Sequence, residues 1–401
     1  MRQRRRLLLN FALMVKHTTT KNPILAFALP LAILAFGCGP VYYFYGFNFF
    51  LPMEMKMLGL SSQEWNSILQ DKTLLILGGH HRGGTTLLWE MLKLHPEVSN
   101  FGTTFETGSD FSEGVFLQDV LPMFGIGSEG LQSTTGNTRI ENKGLGQYAL
   151  APEAEVHWTE ENHREAVTLS NRDRVLNQWG YYWKANDGFK QEKKVWMEKS
   201  PTNAVVSRYI QALFDLGLVT GGLRRSRSKF VFLMRDPIAN AYAHRAGFAG
   251  CKGLSLDVLM NNWLRIANYV TSDVRDGHLQ YAKILTLEEL TEHPQRVYTE
   301  LLTFLDLRVE QDVVDRAVAM VKANPNDKYK AKFCRDVFRG GLDAGRAQFE
   351  AFHDKFGDAV KEYGYHLEEY FNACPQLTEI VREETTAAAG PPGEESNEPD
   401  L

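Results

Sequence analysis

The sequence predicts an α/β domain, a parallel sheet flanked by helices, preceded by one N-terminal transmembrane helix. Apolar runs of strand length alternate with helical patterns through the middle of the chain, as in βαβ units. A glycine-rich turn joins the first such run to the first such helix. Ahead of both, no charged residue stands between Lys21 and Glu54.

From the N-terminus, Arg2, Arg4, Arg5, Arg6, Lys16 and Lys21 make residues 1–22 a basic tail. Residues 23–51 are apolar and long enough to cross about 30 Å of hydrocarbon, with Tyr42, Tyr43 and Tyr45 toward the far end, where aromatic rings favour the interface. Basic residues before the stretch and Glu54 after it orient the tail to the cytosol and the body to the far side of the membrane. A cleaved signal peptide is the alternative, but the run exceeds an ordinary h-region and no A-x-A site follows. Residues 52–70 read as a stem, 71–375 as one domain, and 376–401 as a disordered acidic tail.

The formal net charge is −5, and six positive charges precede the first acid, so the body is more acidic still. That excludes a general nucleic-acid binder. Four cysteines, Cys38, Cys251, Cys334 and Cys374, are too few for a disulfide scaffold or zinc site. With Cys38 in the apolar run, one bridge at most forms among the others.

Within the domain, strands are expected at 73–77, 195–197, 230–234 and 284–287, and helices at 85–94, 203–214, 237–248, 256–270 and 288–305. Residues 103–189 lack regular periodicity and read as loops and short helices around a cleft. Residues 221–228, with Arg224, Arg225 and Arg227, read as a solvated basic loop. Trp263 reads as core and His95 as a helix-end cap.

The turn after the first strand is Gly78-Gly79-His80-His81-Arg82-Gly83-Gly84-Thr85-Thr86-Leu87. Its Gly79-x-x-x-x-Gly84 spacing makes the sheet P-loop-like, with amides and a helix N-terminus facing an anion. Thr85 stands where an ATP-binding loop carries lysine.

Arg82-Gly83-Gly84-Thr85-Thr86-Leu87 resembles the R-S-G-T-T-L loop of the sulfotransferase superfamily. The resemblance runs on through Leu94-His95-Pro96-Glu97-Val98, Glu198-Lys199-Ser200-Pro201-Thr202-Asn203 and the strand ending in Arg235-Asp236-Pro237. Leu287-Glu288-Glu289-Leu290 is similar to the family's Y-E-D-L, and Tyr363-Gly364-Tyr365 to its C-terminal G-Y. The nearest branch includes the tyrosylprotein sulfotransferases and the bacterial and plant-type members, which share a stretch like Glu113-Gly114-Val115-Phe116-Leu117-Gln118-Asp119-Val120.

The resemblance implies transfer of a sulfuryl group from 3′-phosphoadenosine 5′-phosphosulfate (PAPS) to a hydroxyl on a tyrosyl peptide, glycan or small molecule, in the Golgi lumen. Arg82, Gly83, Gly84, Thr85, Thr86 and Leu87 would hold the 5′-phosphosulfate and Arg235 the 3′-phosphate. A sulfuryl group carries less charge than a γ-phosphate, so amides, two hydroxyls and Arg82 suffice without metal. Two family serines are replaced: the loop serine by Gly83, which keeps its backbone N–H, and the 3′-phosphate serine by Ala243, for which Asn240 or His244 would compensate. Lys199 would meet the sulfuryl group and the bridging oxygen, with Asn203 either orienting it or facing solvent. Glu106 is the nearest match for the acceptor's general base, followed by Glu113, with His80 and His81 also able. A P-loop kinase and a non-catalytic nucleotide binder remain as alternative readings.

Overall fold

The computed structural model describes residues 56–102, 113–121, 157–216, 219–220, 223–224, 228–247, 251–322, 325–372 and 374. The basic tail, the apolar stretch at 23–51, Glu106, Arg225, Arg227 and the acidic tail lie outside them. No helix among the described residues is long and apolar enough to cross a membrane.

Five strands form one parallel sheet: β1 (Thr73–Gly79), β2 (Val98–Ser99), β3 (Val195–Lys199), β6 (Ser228–Met234) and β7 (Ala282–Thr286). Their order is β2-β3-β1-β6-β7, so β1 lies at the centre. Two-residue strands β4 (Val219–Thr220) and β5 (Leu223–Arg224) make a separate antiparallel pair.

Strand alternation sends successive side chains to opposite faces. Leu74 and Ile76 of β1, Trp196, Phe230 and Phe232 pack on one side against α3 (Leu169–Asp187) and α4 (Asn203–Asp215). Leu75 and Leu77, Met197, Val231 and Leu233 pack on the other against α2 (Thr85–Lys93), α8 (Pro294–Phe304) and α9 (Gln311–Ala319). A third cluster joins α5 (Pro237–Gly247), α6 (Leu256–Arg275), α10 (Asp327–Val337) and α11 (Leu342–Lys361).

Three expectations need revision. Residues 288–305 form two helices, α7 (Leu287–Glu292) and α8, not one. Pro294 offers no N–H and pushes His293 out of helical geometry, to φ −128° and ψ 52°. Within 103–189, the nineteen-residue α3 is regular. Its buried face carries Arg172, Asn177, Gln178 and Gly180 beside Trp179 and Trp183, which hides the apolar period. Part of the segment read as a stem is packed: Ser61 opens α1 (Ser62–Ile68) with a capping box, and Trp65 is fully buried against α3. The Trp65 indole donates to Asn177 Oδ1 at 3.2 Å.

Candidate active site

The C-terminal ends of β3, β1 and β6 lie side by side, where open α/β sheets bind ligands. Leu77 pairs with Lys199 and Gly79 with Leu233, so the turn after β1 emerges between Lys199 and Arg235.

Close packing dictates the glycines. A Cβ on Gly78 would stand 2.9 Å from the Ala204 nitrogen, and one on Gly79 only 2.1 Å from the Leu233 carbonyl oxygen. The chain then turns: the Gly83 N–H donates to the His80 carbonyl at 3.0 Å, and Arg82 takes a φ of 58°, rare for a non-glycine residue. At Gly83 a Cβ would approach the His80 oxygen to 2.7 Å. Glycine for serine at this position therefore follows from the tight turn, and its N–H closes the turn instead of facing an anion. Gly84, at φ 95°, caps α2 without any side-chain bond, leaving the first-turn amides uncapped at the positive end of the helix dipole. Thr85 is buried there and Thr86 half-buried, whereas Leu87 packs against the core beneath α2.

Arg235 is buried and braces the loop from behind. Its guanidinium donates to the Arg82 carbonyl at 2.9 Å, to Asn326 Oδ1 at 2.8 Å and to the Pro325 carbonyl at 3.0 Å, over the Tyr329 ring. Asp236 Oδ1 accepts from the Ala239 N–H at 2.9 Å as the cap of α5, and burial pushes its carboxyl up to about 7. Asn240 donates to the His81 carbonyl at 2.8 Å, and His244 Nδ1 lies 2.9 Å from the Asn240 carbonyl. Asn240 thus supports the loop backbone, while Ala243 is fully buried in the third cluster.

The later motifs converge on the same region. Glu288 accepts from the Asp236 N–H at 2.9 Å, from Asn326, and from the Tyr365 hydroxyl at 3.2 Å. Trp263 is core, as expected, and also donates to the Arg235 carbonyl at 2.8 Å. His95 caps the end of α2 as expected, its N–H donating to the Leu92 carbonyl at 3.1 Å, and its ring bonds the Arg308 carbonyl and accepts from the Glu97 N–H, tying the following loop down.

Lys199 is 1 % exposed and bonds Glu113 Oε1 at 2.9 Å, with Trp89 of α2 beside it. The structure therefore pairs Lys199 with Glu113, and Glu106 lies outside the described residues. Asn203 faces neither solvent nor Lys199: it donates to the Leu77 carbonyl at 2.8 Å and to Glu198. Burial pushes Glu198 up to about 7, with the charge of Glu113 adding to it.

The histidines are poor bases. His80 is stacked on Trp263 with Nε2 2.9 Å from its carbonyl, and burial lowers it to about 4. Burial, then the charges of Lys199 and Arg82, lower His81 to about 3. A base that weak holds almost no proton near neutrality.

Sequence reasoning gave no role to Glu198 or Ser200, and ranked Glu113 behind Glu106. The one available signal was the Glu113–Gly114 dipeptide opening a shared stretch. Gln118 in that stretch cross-links its own turn, donating to the Val115 and Leu121 carbonyls, and Asp119 takes a forked bond from Arg174. Cys334 and Cys374 form a disulfide, and Cys251 is a buried thiol outside that bridge. Among the described residues no group of three metal-ligating side chains occurs.

Comparison with known proteins gives one family match. The model of the sulfotransferase family matches residues 75–311, more than half of the chain. Several solved structures are similar at low identity. The sulfotransferase domain of the Synechococcus PCC 7002 olefin synthase is 16 % identical, with 64 % of this chain and 82 % of that one covered, at a TM-score of 0.34. Sulfotransferase STF9 of Mycobacterium avium is 15 % identical, covering 73 % and 80 %, at 0.34. Mouse sulfotransferase SULT7A1, complexed with PAP, is 11 % identical, covering 82 % and 98 %, at 0.32. Likeness at these scores is too weak to assign a ligand. No curated protein matches the chain. On the family match, with its motifs gathered at one sheet edge, the chain belongs to the sulfotransferase family.

Proposed function

We propose that this protein transfers a sulfuryl group from PAPS to a hydroxyl acceptor, with Lys199 and Glu113 at the reacting centre. The observation that carries the reading is the pair of buried Lys199 and half-buried Glu113, 2.9 Å apart, at the sheet edge that holds the glycine turn. The turn fits a phosphosulfate: uncapped first-turn amides, the hydroxyls of Thr85 and Thr86, and Arg82 offer donors and positive charge. Arg235 borders the region for the 3′-phosphate and fixes the loop through the Arg82 carbonyl.

PAPS would supply a sulfuryl group already bound to a good leaving group. The acceptor oxygen bonds to sulfur as the bond from sulfur to the bridging phosphate oxygen breaks, giving a sulfate ester and PAP. Lys199 stabilises the charge gathering on that bridging oxygen, worth more in the transition state than in the ground state. Glu113 takes the acceptor's proton; Glu106 is the competing base. The full chain in detergent, given radiolabelled PAPS and pooled peptides, glycans and small alcohols, should label a hydroxyl-bearing acceptor. PAP binding with no transfer to any pool would instead make it a nucleotide-binding relative without catalysis.

The same reading puts the domain in the Golgi lumen, held by residues 23–51 as a type II anchor. The disulfide Cys334–Cys374 supports an oxidising compartment. Digestion of the domain by protease added to intact microsomes would refute this placement.

A further inference from the structure

A second carboxylate lies beside the reacting pair, and the mechanism above leaves it unused. Glu198 is 1 % exposed and directly precedes Lys199 on β3. Strand alternation sends the two side chains to opposite faces of the sheet. Glu113 reaches Lys199 on one side, and the backbone that follows it binds Glu198 on the other.

That backbone is held at three successive points. The Gly114 N–H donates to Glu198 Oε1 at 2.9 Å. The Gly114 carbonyl accepts from the Trp179 indole at 2.9 Å. The Val115 N–H donates to Ser200 Oγ at 3.0 Å, and Ser200 in turn donates to Glu198 Oε1 at 2.5 Å. Asn203 fixes the other carboxylate oxygen while bonding the end of β1. Contact is so close that a Cβ on Gly114 would stand 2.5 Å from Glu198 Cγ. Even a hydrogen-bonded carboxylate is costly to bury, so an apolar residue of its size would serve a purely structural role as well or better.

We infer that Glu198 is a positioning residue for sulfuryl transfer, setting Glu113 against Lys199 through Gly114 and Ser200. The inference rests on Lys199 and Glu113 being the reacting pair. Glu198 never meets the substrate; it acts through Glu113. Of the elements packed on it, the 113–117 segment contributes the charge of Glu113 and β3 that of Lys199, while α3 and α4 contribute the neutral Trp179 and Asn203. Protonation of Glu198, which burial brings to about 7, weakens its grip on the Gly114 amide, so the positioning loosens as pH falls through that value.

The test is a double-mutant cycle on the full chain. Glu198→Gln keeps the shape and should lower kcat about 10–100-fold, with KM for PAPS and the Kd for PAP unchanged. It should also remove a limb near pH 7 from the kcat profile. In a Glu113→Gln background the same change should cost less than about twofold, because its effect passes through Glu113. Gly114→Ala, which displaces the segment without removing a charge, should likewise lower kcat and spare PAP binding. Losses that multiply in the double variant, or a fall in PAP affinity parallel to kcat, would overturn the inference. So would a Glu198→Gln enzyme of wild-type rate and pH profile. Failure of the underlying reading looks different: the wild-type protein would transfer no label, or Glu113→Gln alone would leave its rate unchanged.

Discussion

Arg235 joins a proposed phosphate contact to an observed structural brace. Its type and its place at a strand end suggest the phosphate contact, since a guanidinium at a sheet edge suits phosphate. Its three bonds to Arg82, Asn326 and Pro325 were not legible, because they join two carbonyls and an amide side chain 90, 91 and 153 residues away in sequence. Removing the guanidinium takes a charged donor from each of those acceptors. Arg235→Ala should therefore destabilise the fold by about 2–3 kcal/mol, the scale for a charge-assisted bond, besides weakening PAP binding. Thermal denaturation and calorimetry measure the two separately; an unchanged melting temperature would show that the bonds to the loop contribute nothing. The base is the opposite case. Glu106 and Glu113 differ little as sequence, and long-range bonds of Gly114 and Val115 to Glu198, Trp179 and Ser200 bring Glu113 to Lys199.

The β1 turn and α2 were anticipated nearly to the residue, because glycine spacing and an apolar strand are local signals. What locality could not give was the reason for Gly83. The family serine there would be read as a lost hydroxyl donor, yet the turn leaves 2.7 Å between a Cβ and the His80 oxygen. Gly83→Ser should accordingly cost about 1–3 kcal/mol of stability from crowding, and it should not tighten PAP binding. Urea denaturation checks the first and calorimetry the second; a stable variant with higher affinity would mean that the loop opens when nucleotide binds. Long α3 escaped notice for a related reason. Its buried face spends Asn177 on the backbone of Leu60 and Gln178 on Asp119, so polarity there marks cross-links and not solvent.

Across the whole molecule, the buried titratable groups set a pH response. Asp236 and Glu198, raised to about 7, bind protons in the folded state that the unfolded chain releases above its ordinary carboxyl range, so their contribution is lost as pH rises through 7. His80, His81 and His244, lowered to about 4, 3 and 3, act the other way: the unfolded chain takes up their protons below 6.5 while the folded chain does not. Below about pH 6, where the unfolded histidines are largely protonated, three histidines oppose two carboxyls, so unfolding takes up protons. Stability should therefore fall on acidification from about 6 toward 5. A melting temperature that climbs over that range would contradict the assignment of neutral histidines around the loop. The central claim, sulfuryl transfer at the Lys199–Glu113 pair, is tested most directly by following radiolabel from PAPS to acceptor with wild type, Lys199→Ala and Glu113→Gln. The predicted result is transfer by wild type, kcat lowered about 10²–10³-fold by Lys199→Ala and about 10²–10⁴-fold by Glu113→Gln, with PAP affinity near wild type in both. Full activity in Glu113→Gln with loss in Glu106→Gln, or loss of PAP binding in Lys199→Ala, would contradict it.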